Sequence, residues 1–255
     1  MPKARIKNTI GLKIFIFLVV LILALLLFPK KTSEFGFEYS KIADIELPQN
    51  YAIHGIDLSH HNGNINWGKL SQEFLFDTVA VKFVYVKATE GRSLQDSHFQ
   101  RNWEAAKKNG FSRGAYHFYI TTRDPIEQAK NFCQNVKLQK GDLPPVCDFE
   151  EQLGVSKTKI QKDILSFLEY LGEFYGISPI IYTNPKLYKR IFQENKSFEN
   201  YNYWIAQYDN QEILIHDKLL IWQHNKSGKI PGSSKSIDYN VFLGSEEDFN
   251  RILIK

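Results

Sequence analysis

Leu143-Pro144-Pro145-Val146-Cys147-Asp148-Phe149-Glu150-Glu151 reads as a buried strand. Turn signals precede it, Gly141 and Asp142 and then two prolines, and apolar and acidic residues then alternate. Side chains on a strand point to opposite faces in turn, so Val146, Asp148 and Glu150 share one face and Cys147 and Phe149 the other. Two carboxylates therefore meet on one face at the strand's C-terminal end. Neighbouring carboxylates repel, and one of them holds its proton more tightly. A split of that kind serves chemistry that needs one neutral acid beside one charged acid. A plain edge strand with solvated acids is the competing reading.

On either side of this stretch the chain alternates strands with helices. Strands are expected over 52–58, 79–88, 114–120, 179–183, 203–208, 219–224 and 238–243, and helices over 66–73, 96–109, 124–136 and 156–175. Asp124 with Pro125 marks a helix start. Gly110 and Gly176 mark helix ends, and Ile160, Ile164, Phe167, Leu168 and Leu171 form one apolar stripe. Eight strands, the earlier ones alternating with helices, predict an α/β fold. The expected form is a parallel, TIM-like barrel that is irregular in its last part, with about five helices. In such a barrel the chemistry lies at the C-terminal strand ends. Asp57, Asp148 and Glu150 fall there, with Asp238 at the start of the last strand. Tyr116, His117, Tyr182, Trp204, Gln207 and Gln223 are their neighbours.

The N-terminus is of another kind. Ile14 to Phe28 is an unbroken apolar run, with Lys3, Arg5, Lys7 and Lys13 before it and Lys30 and Lys31 after it. No small residues precede a cleavage point, so residues 1–31 read as a signal-anchor that crosses the membrane over residues 10–28. A cleaved secretory signal is the alternative. The excess of basic residues before the run keeps the N-terminus inside and the domain outside. Residues 32–48 read as a stem linker, and 49–255 as the catalytic barrel. Six of the 32 Lys and Arg precede residue 32, which leaves 26 basic against 28 acidic residues in the remainder. The domain therefore lacks the basic footprint of a nucleic-acid binder.

These motifs, taken in order, resemble the glycoside hydrolase family 25 lysozymes, N-acetylmuramidases that act on peptidoglycan. The matching pieces are GIDLSHHNGNINW (55–67), VKATEG (86–91), GAYHFY (114–119), GDLPPVCDFE (141–150), IIYTN (180–184), YWIAQY (203–208), IWQH (221–224) and DYNVFLG (238–244). The resemblance implies an irregular barrel of eight strands and five helices. It implies Glu150 as general acid, with Asp148, Asp57 and Asp238 as its acidic companions. Tyr116, His117, Tyr182, Trp204 and Gln223 would hold the substrate. The bond cut would be the β-1,4 link after N-acetylmuramic acid. A carboxylate nucleophile, a base acting through water, or the substrate's own acetamido oxygen could complete the reaction; the resemblance leans to the last. Asp148 is expected to stay charged beside a protonated Glu150. Where the family usually carries an aromatic after its first Asp-x-Ser, this chain has His60-His61.

The expected partners are peptidoglycan glycan strands and, through residues 10–28, a membrane. The domain is expected to act as a monomer without metal or cofactor. His60-His61 near Asp57 invites a metal reading, but no HExxH or cysteine pair supports it. Cys133 and Cys147 could form a disulfide outside the cell or remain two buried thiols. A non-catalytic wall-binding module would be expected to have lost Glu150 or Asp148, and both are present. A chitinase of the commonest barrel type would carry DxxDxDxE, of which only Asp148-Phe149-Glu150 is found.

Overall fold

The computed structural model describes Phe15 and residues 36–76, 79–208, 216–231 and 233–255. The chain divides into a unit Met1–Gly36 and a unit Phe37–Lys255, and the second contains the barrel. Apart from Phe15, the expected anchor over 10–28 lies outside the described residues. Among the described residues no helix is long and apolar enough to cross a membrane.

Eight strands close on themselves: β3 (His54–Leu58), β5 (Val79–Glu90), β7 (Ser112–Phe118), β8 (Val146–Asp148), β9 (Ile180–Thr183), β10 (Asn202–Ala206), β11 (Leu219–Gly228) and β12 (Ile237–Phe242). β3 pairs with β5 to complete the ring. β4 (Phe74–Phe76) and β6 (Leu94–Gln95) are short strands that pair with β5 outside it. All eight expected strands are present, but the barrel is not all-parallel. β12 runs antiparallel to both β11 and β3. Only residues 229–236 separate it from β11, and a parallel crossover needs a dozen residues or more. The chain turns back as a hairpin instead.

Most of the helices begin where a side chain caps them. Among those described, α1 (Trp67–Leu70) starts at Asn66 and is shorter than the expected 66–73. α2 (Phe99–Lys108) starts three residues later than expected, because Asp96 uses its side chain to accept the backbone N–H groups of His98 and His60. In α3 (Pro125–Asn135) the Asp124 carboxylate accepts two backbone N–H groups. α4 (Lys157–Tyr175) is capped by Ser156 and closed by Gly176 in the left-handed conformation, and its apolar stripe is buried as expected. α5 (Pro185–Leu187) runs on into a wider turn, and α6 (Glu246–Ile252) ends the fold.

Residues from Phe37 onward do not form the linker expected over 32–48. β1 (Phe37–Ser40) and β2 (Ile45–Pro48) pair as an antiparallel hairpin laid on the barrel. Ala43, Ile45 and Leu47 are buried, and burying such side chains favours the packed form by about 1.5–3 kcal/mol for each of the larger ones. The Ala43 carbonyl accepts the Lys229 N–H at 2.7 Å, and Ser40 Oγ donates to the Leu75 carbonyl at 2.6 Å. The Phe37 ring meets the edge of Trp222.

The interior of the barrel is a plug of aromatic and aliphatic side chains: Phe83, Tyr85, Val146, Ile180, Tyr182, Trp204, Ile221 and Phe242. Glycine makes room for the two largest crossings. A Cβ on Gly55 would lie 2.3 Å from the Phe83 ring, and one on Gly114 would lie 2.1 Å from the Tyr85 ring. Cys147 and Phe149 point the other way, into the helix layer, and both are fully buried. Cys133 on α3 and Cys147 carry free thiols, so the disulfide is not formed. Gly114→Ala should overpack the plug and lower the unfolding free energy by about 1–3 kcal/mol, read as a shift of the urea midpoint at an unchanged slope.

Candidate active site

Asp57 is the penultimate residue of β3 and Asp148 the last of β8, and they are only 7% and 5% exposed. Glu150 lies two residues beyond the end of β8, at the mouth, and is exposed to solvent. Asp238 opens β12. Because that strand runs against its neighbours, its first residues lie at the C-terminal end of the others, and Asp238 faces Asp57 directly across the pair. These four carboxylates, with Tyr116, Tyr182 and Trp204, line one small pocket of about 80 Å³ that opens to solvent.

Burial is the main force on every acid here. It pushes Asp57 up to about 6, against the hydrogen bonds that Asn240 and Gln223 donate to it. Burial, then the charges of Asp57 and Glu150, push Asp238 up to about 8. Asp148 goes well above the ordinary carboxylate range through burial and the charge of Glu150. Burial raises Glu150 too, while its hydrogen bond with Asp148 holds it down. The expectation of a charged Asp148 beside a protonated Glu150 does not fit two acids that are both raised and that titrate together. Asp148 is the deeper residue, and among the described residues its Oδ1 has no hydrogen-bond partner. The proton is best assigned to the pair. Lys87, inward-facing on β5 and paired with Glu90 at 2.7 Å, draws both acids downward but does not overcome burial.

Among the expected contact residues, Tyr116, Tyr182 and Trp204 line the pocket. Burial and the nearby carboxylates push both phenols well above their usual range, so they remain neutral donors. His117 does not reach the pocket. It neighbours Tyr116 on a strand and so faces the helix layer, packed against Phe132 and Phe167. Its Nδ1 bonds Thr89 Oγ1 at 2.7 Å, its Nε2 lies 3.3 Å from Gln128 Oε1, and burial lowers its pKa to about 3. Gln223 stands behind Asp57 rather than in the pocket. Its Oε1 accepts the Tyr182 and Tyr208 hydroxyls and its Nε2 donates to Asp57 Oδ2 at 2.8 Å. Three residues of this environment were not singled out from the sequence: Asn240, Lys87 and Tyr208. Strand alternation from Asp238 would have found Asn240. His60 binds Asp96 through Nδ1 at 2.6 Å and stacks on His61.

An open trough of carboxylates and aromatic rings at the C-terminal end of a closed α/β barrel defines a glycosidase. The sequence profile of the Glycosyl hydrolases family 25 matches residues 56–233. The chain is 33% identical over 219 residues to the uncharacterized protein YegX of Escherichia coli O157:H7, covering 84% of this chain and 78% of that protein. It is 29% identical over 188 residues to the autolytic lysozyme of Clostridium acetobutylicum, covering 74% of this chain and 55% of that one. Among solved structures, a family 25 glycosyl hydrolase from Bacillus anthracis aligns with a TM-score of 0.72 at 30% identity, over 81% of this chain and 95% of that one. The bacterial lysozyme from Streptomyces coelicolor aligns at 0.71 and 26% identity, over 79% and 97%. The chain belongs to glycosyl hydrolase family 25, and it is a glycoside hydrolase of the lysozyme type.

Asp238 has a folded-state pKa above that of an unfolded carboxyl, so its contribution to stability is full below about pH 4 and is lost as pH rises through about 8. Asp238→Asn should therefore be more stable than wild type at pH 8, by about 1–3 kcal/mol. Calorimetry at the two pH values should show that gain vanish at pH 4.

Proposed function

We propose that the protein is a muramidase that hydrolyses the β-1,4 bond between N-acetylmuramic acid and N-acetylglucosamine in peptidoglycan, with Glu150 as the proton donor. The observation that carries this reading is the meeting of Asp57, Asp148, Glu150 and Asp238 in one open pocket with Glu150 at its mouth. Glu150 and Asp148 share a proton at near-neutral pH, and Glu150 is the member that can reach a glycosidic oxygen. As the bond breaks, that proton passes to the departing oxygen. Positive charge then grows on the ring carbon left behind, and ionised Asp57 stabilises it. The substrate's acetamido oxygen closes onto that carbon, with the unpartnered Asp148 Oδ1 holding the acetamido N–H. Water opens the ring so formed and gives its proton to Glu150. Half-buried Tyr116 offers its ring to the sugars, and the edges of Tyr182 and Trp204 form the floor beneath them.

The setting follows from the N-terminus. Residues 10–28 tether the chain to a membrane, with the barrel acting as a monomer on the extracytoplasmic side, where it remodels or degrades wall.

Glu150→Gln should lower turnover on purified wall by about a thousand-fold or more and leave the melting temperature within a degree or two. Mass spectrometry of the wild-type products should show muramic acid at the new reducing ends. Wild-type turnover of the variant, or glucosamine ends, would reject the reading. Full-length protein should sediment with membranes at high salt. A soluble form beginning near residue 30 would instead show that the segment is cleaved.

A further inference from the structure

Asn240 is fully buried on β12, two residues beyond Asp238 and directly across from Gln223 on β11. Its Oδ1 accepts the indole N–H of Trp204 at 2.8 Å, and its Nδ2 donates to Asp57 Oδ2 at 2.8 Å. An indole nitrogen can only donate. The amide therefore cannot turn round without setting two donors against each other, and the NH₂ group is committed to Asp57. Gln223 makes a matching contact from the next strand, donating to the same Asp57 oxygen at 2.8 Å while its Oε1 takes two tyrosine hydroxyls. One carboxylate oxygen thus receives two fixed N–H donors. Donors of this kind stabilise the anion more than the neutral acid, whose oxygen is the weaker acceptor. Among the described residues Asp238 receives no such pair, and it hydrogen-bonds Asp57 as the donor.

We infer that Asn240 is a positioning residue for the reaction: held in one orientation by Trp204, and seconded by Gln223, it makes Asp57 the charged member of the Asp57–Asp238 pair and leaves the shared proton on Asp238. This rests on the muramidase reading, in which Asp57 must be ionised. It goes beyond that reading by naming what ionises it. Trp204 also lines the pocket, so the relay from indole to amide to carboxylate begins at the substrate's edge.

Other groups act on Asp57 as well. Asp238 comes from β12, Asp148 and Glu150 from β8 and its extension, Tyr116 from β7, and Tyr182 and Tyr208 from β9 and the segment after β10; Lys87 lies on β5 beyond Asp148. An Asn240 variant leaves each of these residues in the sequence, and the one further partner it deprives is the Trp204 indole N–H.

The test is the pH dependence of kcat/KM on solubilised peptidoglycan, for the full chain, its Asn240→Ala and Asn240→Asp variants, and Asp57→Asn and Glu150→Gln as references. Wild type should lose activity below about pH 6 as Asp57 takes up a proton. In Asn240→Ala that limb should move up by about one pH unit, and kcat at pH 6 should fall about five-fold with KM within two-fold. Asn240→Asp keeps the size of the side chain and sets a second negative charge beside Asp57, so its limb should move further. A limb that stays in place in a folded Asn240→Ala, with only the melting temperature lowered, would make Asn240 structural and overturn the inference. If that variant does not fold, an unmoved limb in Asn240→Asp overturns it equally. Should Asp57→Asn and Glu150→Gln keep wild-type turnover, the muramidase assignment of these residues fails. Should they lose turnover while the Asn240 limb stays put, the inference alone fails.

Discussion

Four carboxylates in one trough repel one another, and the protein has to hold them together against that force. The plug beneath them supplies the means. Phe83 and Tyr85 reach across the barrel over Gly55 and Gly114 and fill the space with apolar contact, so Asp57 and Asp148 rest on a dry floor. That floor both fixes the acids and raises their pKa values, because a low-dielectric base penalises charge. The apolar core and the acid–base chemistry are two consequences of one packing arrangement.

The direction of β12 is the second requirement. An eighth parallel strand would have carried Asp238 to the far end of the barrel from Asp57. The hairpin after β11 returns it to the right end and places Asn240 level with Gln223. The sequence shows this only indirectly. The strand itself is plain in the alternation of Asp238-Tyr239-Asn240-Val241-Phe242, but its direction depends on the length of the preceding link. Residues 229–236 are too few for a crossover, so the information was present in the spacing rather than in the residue types.

The eight barrel strands, the three longer helices and the meeting of the four acids were legible, because period-two alternation and helix caps are local signals. His117 was placed in the groove although it neighbours Tyr116. Adjacent strand residues face opposite ways, and counting inward from Gly114 admits Tyr116 and excludes His117. The hairpin over Phe37–Pro48 escaped notice because each strand is only four residues long; Ile45 and Leu47 alone carry its alternation. The buried polar residues show a further division. Burial holds His54, His117 and His224 neutral by lowering their pKa values to about 3–4, so acid weakens the fold as pH drops below the ordinary histidine range. The active-site acids act in the opposite sense, weakening it as pH rises.

Cys133 and Cys147 sit on facing layers without joining, one 3% exposed and the other fully enclosed. Burial lifts the Cys133 thiol to about 11 and the Cys147 thiol well above its ordinary range, so neither supplies thiolate to attack an oxidant or a disulfide. The barrel is thereby indifferent to redox surroundings. It needs no oxidising compartment to mature, and a reducing one has no cross-link to cleave.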